Sequence, residues 1–186
     1  LSKIFIDLGA YHGQMAQRFL SKKENPNEWE CILFECNPLL SDYKYSLANA
    51  FIIKKAAWIE DGEIPFYLSK THPAMSQGSS CYEKKLTGNL DKERPVNVQT
   101  IDFSQWLKDR FDHRDYIVLK MNIEGAEYKI LPKMFLDGTI NLISEIYIQW
   151  HWQKIQLPVY EHTEIERELK SRHLIVHDGY SKDLKK

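Results

Sequence analysis

FIDLGAYHGQ, residues 5–14, joins a short apolar run to the start of an amphipathic one through two glycines. KIFIDLG (3–9) reads as a buried strand and GQMAQRFLSKK (13–23) as the helix that follows it. A strand that turns through glycine straight into a helix opens a parallel α/β sheet, and ligands of such sheets lie beyond the carboxyl ends of the strands. Gly9 and Gly13 are four apart, and glycine permits both a tight turn and close approach of backbone to ligand. A dinucleotide fingerprint needs a further glycine two residues after the first, where this chain has Tyr11. No G-K-[ST] follows either, so Walker-type phosphate binding and a nucleotide-dependent oxidoreductase are both disfavoured. Asp7 is expected at the mouth of the turn, where a carboxylate repels phosphate and favours a cationic or hydroxyl-bearing ligand.

Working outward, apolar and polar segments alternate as strands and helices would in a sheet covered on both faces. ECILFEC (30–36) reads as the second strand, Asn37-Pro38 opens a helix running on through LLSDYKYSLANA, and FIIKKAAW (51–58) is a third strand. EDGEIPFYLS carries a D-G turn and an added β segment. VNVQTID (96–102), DYIVLKMNIE (115–124), TINLISEIYIQWHW (139–152) and HLIVHDGY (173–180) are further strands. Between them come a short helix capped by Asp102, a helix with Pro132 as a kink or break, and the polar helix YEHTEIERELKSR. Residues 70–94 lack apolar periodicity, and a loop of that length suits a mobile lid or acceptor-recognition segment, with Ser79, Ser80 and Tyr82 as hydroxyl contacts. Glu35 stands at the end of the second strand, where an acidic residue can take a ribose hydroxyl pair as a bidentate acceptor. Asp7 and Glu35 together point to a nucleoside with a positive extension that is not a phosphate. S-adenosylmethionine is such a molecule. The blander alternative is that the two carboxylates only cap helices and the glycines only turn.

The 186 residues carry a formal charge of −1, which offers no bulk attraction for nucleic acid or anionic membrane. No apolar run approaches the roughly 20 residues of a membrane span. Three cysteines, Cys31, Cys36 and Cys81, form no C-x-x-C pair, and their odd number fits a reducing, cytoplasmic setting. One domain covering residues 1–186 is expected. Leu1 lies so close to the first strand that the domain reads as one cut from a longer protein.

FIDLGAYHG, LFECNP (33–38), KKAAW (54–58) with DGEIPFYLS, VQTIDF (98–103) and above all LKMNIEGAEYKIL (119–131) follow one another in an order that resembles the FkbM-type methyltransferases. The resemblance implies a Rossmann-like class I methyltransferase fold, S-adenosylmethionine as cofactor with S-adenosylhomocysteine as product, and methylation of a hydroxyl group, often on a sugar or natural product. It places Asp7, Gly9 and Gly13 near the methionine part, Glu35 at the ribose, and Ala57 and Trp58 near the adenine. Ala10, Tyr11 and Cys36, beside those positions, belong to the same expected cofactor site, as does Asn122. The family pattern has aspartate where this chain has Asn122, and an amide can hydrogen-bond but cannot take up a proton. That departure keeps open a second reading, a non-catalytic nucleoside-binding module.

Methyl transfer to an alcohol depends on alignment and on a base for the hydroxyl proton. His151 is the first candidate because histidine titrates near neutrality, with Glu124 second, Asn122 beside them and His12 a weaker third. Glu127 reads equally well as dipole compensation on a first helical turn. Trp150 and Trp152, placed on the strand with His151, would share the opposite face, one in the core and one free to stack on a sugar ring. Nothing in the spacing of Glu124 and Glu127 requires a metal. Tyr116 and Lys120 have dehydrogenase spacing, but on a strand they stand about 13 Å apart. A glycan or small-molecule acceptor is the expected partner.

Overall fold

The computed structural model describes residues 1–40, 49–71, 73–74 and 78–179. Six parallel strands form the main sheet: β1 (Lys3–Leu8), β2 (Trp29–Phe34), β3 (Ala50–Ile53), β7 (Tyr116–Met121), β8 (Ile143–Ile148) and β9 (Ile175–Asp178). Their order is β3-β2-β1-β7-β8-β9. A smaller sheet lies in the order β4-β6-β5, with β4 (Ala56–Trp58) parallel and β5 (Gly62–Phe66) antiparallel to β6 (Val96–Asp102). The helices are α1 (Gln14–Leu20), α2 (Phe103–Arg110), α3 (Glu127–Asp137) and α4 (Val159–Lys170).

Alternation along β1 explains both faces. Ile4, Ile6 and Leu8 enter a core that includes Phe103 and Leu107 of α2 and Ile130, Leu131 and Met134 of α3. Phe5 points the other way and stacks on Phe19 of α1, ring centroids 4.2 Å apart. Strands buried on both faces carry near-continuous apolar runs, as Ile4–Leu8 and Ile117–Met121 do. Asp7 and Lys120 interrupt those runs at paired positions of β1 and β7. The sheet reverses its order between these two strands, which opens the crevice where such folds take their ligands.

Several boundaries differ from the sequence reading. The run 51–58 is two strands in two sheets, broken at Lys54 and Lys55, because its first half pairs with β2 and its second with β6. The stretch 139–152 begins as a 3₁₀ turn over Thr139–Leu142 and is a strand only to Ile148. Trp150, His151 and Trp152 therefore follow the strand and do not alternate across it. Trp150 packs on Tyr128 and His162, and Trp152 stacks on His162 at 5.3 Å. Helix α3 runs unbroken through Pro132. Asp102 does cap α2, its Oδ1 accepting from the Gln105 N–H at 3.0 Å. Most of the helix expected after Asn37-Pro38 lies outside the described residues. Among the described residues, no helix is long and apolar enough to cross a membrane.

Candidate active site

The turn after β1 is shaped by one close contact. Gly9 has φ +78°, and a β-carbon there would stand 2.3 Å from the carbonyl oxygen of Asn122, at the end of β7. Its N–H and that of Ala10 both donate to the Phe34 carbonyl at 3.0 Å. The turn is thereby pinned to β2 on one side and pressed against β7 on the other. Tyr11, at φ 51°, continues the left-handed path, and Gly13 at φ 77° starts α1.

Glu35 closes this turn from the next strand. One carboxylate oxygen accepts from the Tyr11 N–H at 2.9 Å and the other from the Asn37 N–H at 2.9 Å. Burial raises its pKa against the pull of these two donors. Each oxygen retains acceptor capacity on its cleft side for a hydroxyl group.

Asp7 does not sit at the mouth. It is fully buried beneath the turn on the α1 face, and its Oδ1 meets Lys120 Nζ at 2.6 Å. Burial raises the Asp7 pKa, and Lys120 acts against that rise. Lys120 also donates to the Gly9 carbonyl at 2.9 Å, so the ion pair supports the turn from below. A lysine inside the apolar run YIVLKM was a readable sign of such a partner, since a buried charge is rarely left unpaired.

Across the crevice lies a line of alternating charges. Glu127, buried in the first turn of α3, accepts from the Gly125 N–H at 3.0 Å and holds His151 Nδ1 at 2.9 Å. His151 Nε2 faces Glu124 Oε1 at 3.5 Å, and Glu124 Oε2 meets Lys85 Nζ at 3.0 Å and Lys154 Nζ at 3.5 Å. Burial works against the His151 imidazolium, but hydrogen bonds and charge from Glu124 and Glu127 outweigh it and raise its pKa to about 9. Burial likewise pushes Glu124 up, and His151 and Lys85 reverse this, holding it at about 2. At neutral pH the pair is an imidazolium beside a carboxylate.

These two walls face one cleft of about 690 Å³ at the carboxyl edge of the sheet. Small-molecule sites commonly span roughly 300–1,000 Å³. Gly9, Ala10 and Tyr11 line its first wall with Glu35 and Cys36, Ala57 and Trp58 line a second, and Asn122, Glu124 and His151 line a third. Asp7, Gly13 and His12 lie behind the surface, His12 with its ring 4.1 Å from that of Tyr11. From residues 70–94, Ser79 reaches the cleft, whereas Ser80 is buried with its hydroxyl donating to the Glu124 carbonyl at 2.8 Å, and Tyr82 packs on Gly125. Two thiols share the cleft: burial pushes Cys36 well above its ordinary range and Cys81 to about 12. Lys85 and Lys154 carry no periodic or motif signal that would have marked them in the sequence.

A model of the methyltransferase FkbM domain matches residues 7–174. The chain belongs to the FkbM methyltransferase family. The match begins at Asp7 and takes in all three walls of the cleft, so the glycine turn, Ala57 and Trp58, and the Asn122–Glu127 segment all fall within the FkbM domain. Neither the curated proteins nor the solved structures give a match. Methyl transfer is the chemistry of the FkbM family, and the mostly parallel sheet with helices on both faces is the Rossmann-like class I fold expected of it.

Proposed function

We propose that the chain transfers a methyl group from S-adenosylmethionine to a hydroxyl group of a sugar or glycan. The observation that carries this reading is the cleft at the switch point of the sheet, with the Glu35 carboxylate on one wall and the Glu124–His151 pair on another. The residues fit the cofactor: Glu35 has unused lone pairs beside the glycine turn, on the wall of a cleft of about 690 Å³. When bound, S-adenosylmethionine supplies an electrophilic methyl on a sulfonium.

Within this reading the chain aligns the acceptor and takes one proton from it. His151 was the first choice for that proton from sequence, yet at a pKa of about 9 it already holds one at neutral pH. Glu124 is ionised and lines the cleft. A carboxylate this weakly basic does little early in the reaction, but an alcohol oxygen that has gained a methyl group is strongly acidic, and a carboxylate accepts its proton readily. Glu124 therefore receives the proton late, and His151 holds it in place. Asn122, as an amide, serves as a hydrogen-bonding group and leaves proton transfer to Glu124.

Calorimetry with S-adenosylhomocysteine tests the nucleoside site: binding with a rise in melting temperature is expected, and Glu35→Ala should weaken it by about tenfold or more. No heat and no melting shift at millimolar ligand would overturn the reading. The second reading, a nucleoside-binding module without turnover, is motivated by Asn122. It is separated by methyl incorporation from labelled cofactor into a glycan panel, which the first reading requires and the second forbids.

A further inference from the structure

In the loop that leads from β5 back to β6, the buried polar side chains of Ser80 and Lys85 reach the same residue, Glu124. The Lys85 ammonium has three N–H groups. Its acceptors are the Gly78 carbonyl, the Thr87 carbonyl at 3.3 Å and Glu124 Oε2 at 3.0 Å. Two of these acceptors fold the loop around the lysine and the third ties it to the end of β7. Gly88 makes the wrapping possible, because a β-carbon there would stand 2.8 Å from the Gly78 carbonyl oxygen and 3.2 Å from Lys85 Nζ. Ser80 is fixed by backbone bonds to Tyr67 in both directions, at 2.8 and 3.1 Å, and its hydroxyl donates to the Glu124 carbonyl.

Glu124 needs such support. Its φ of 54° lies in the left-handed region, which a residue with a β-carbon occupies only when its surroundings impose it. Gly125, at φ 118°, continues the distortion, and a β-carbon on it would meet Ile155 at 2.7 Å and Tyr82 at 3.0 Å. One loop thus grips Glu124 at its backbone carbonyl and at its carboxylate.

We propose that Ser80 and Lys85 are positioning residues, and that residues 78–90 form a fixed clamp that holds the strained Glu124 backbone and aims its carboxylate into the cleft. On this basis the segment is a standing wall of the site and does not open as a lid. The role assigned to Glu124 rests on the methyl-transfer reading; the coupling between loop and Glu124 does not.

The test uses the whole chain, with Ser80→Ala, Lys85→Met and Lys85→Arg, and needs no acceptor. In the ligand-free wild type, the amides of Ser80, Lys85 and Leu86 should exchange slowly, since they are bonded to Tyr67, Tyr82 and Lys154. Lys85→Met should speed exchange by about tenfold or more over 78–90 and 122–127 together, leaving β1 and β2 unchanged. Lys85→Arg should restore part of the protection. The His151 ring, followed by NMR titration, should move as well. Glu124 and Glu127 face it, with Lys85 and Lys154 behind Glu124, so in Ser80→Ala, where no charge is removed, release of the Glu124 carboxylate from its aim lowers the midpoint. Should Lys85→Met fail to fold, Ser80→Ala must still loosen both segments together. Rapid exchange over 78–90 in the wild type, loosening of 78–90 without 122–127, or an unmoved His151 midpoint in Ser80→Ala would overturn the clamp. Failure of the wild type to bind S-adenosylhomocysteine would instead remove the methyl-transfer reading, while the exchange result decides the clamp by itself.

Discussion

Gly9 and His151 make the sharpest demands on single positions. At Gly9 an alanine would be strained twice, by a left-handed φ and by a β-carbon 2.3 Å from the Asn122 carbonyl. Gly9→Ala is expected to cost at least roughly 1–3 kcal/mol of stability from the backbone alone, read by urea unfolding, and to spread the turn enough to lose S-adenosylhomocysteine binding. Unchanged affinity would show that the turn tolerates the displacement. At His151 the two proton-transfer assignments predict opposite slopes. If its neutral form were the base, the rate would climb as pH rises through about 9; if its cation holds Glu124, the rate falls over the same interval. We expect the fall, measured as kcat/KM against pH. The turn at Gly9 and the place of Glu35 at the end of β2 were legible, because glycine permits a left-handed turn and an acid ends the apolar run of the strand. Asp7 was misread for a physical reason. Its partner Lys120 is its neighbour only through strand pairing, so the carboxylate looked solvent-facing when it was already neutralised below the turn.

Among the elements, the first turn of α3 does the most to arrange the charged wall of the cleft. Glu127 accepts from the Gly125 N–H just ahead of the helix and orients His151, so fixing the entry to α3 and arranging the charged wall are one act. Glu127→Gln keeps the shape and removes the charge. The His151 midpoint should then fall from about 9 toward its ordinary value, as NMR titration would show. A midpoint left near 9 would assign the whole shift to Glu124. Of the element boundaries, those at glycine turns were readable, while those within 51–58 and 139–152 were not. An apolar run looks the same whether its residues serve one strand, two strands or a turn and a strand. Only the pairing partners, β2 for one half of 51–58 and β6 for the other, separate them. The tryptophans beside His151 were misplaced by the same ambiguity.

Over the whole molecule, the buried charges tie stability to pH. His151, raised above its unfolded value, stabilises fully below the ordinary imidazole range, and that contribution is lost as pH climbs through about 9. Glu124, lowered, contributes above the ordinary carboxylate range and loses this as pH falls toward about 2. Asp7 and Glu35 are raised and favour the acid side, so the alkaline arm is the clear one. Melting temperature should decline between pH 7 and 10, less so in Glu127→Gln; a flat profile would contradict the imidazolium. The two thiols in the cleft acquire a meaning at this scale. A sulfonium methyl donor is an alkylating agent, and thiolates are the most eager nucleophiles a protein can place beside it. On the methyl-transfer reading, burial that raises the Cys36 and Cys81 pKa values and keeps both as neutral thiols would let the cleft hold such a reagent without methylating itself.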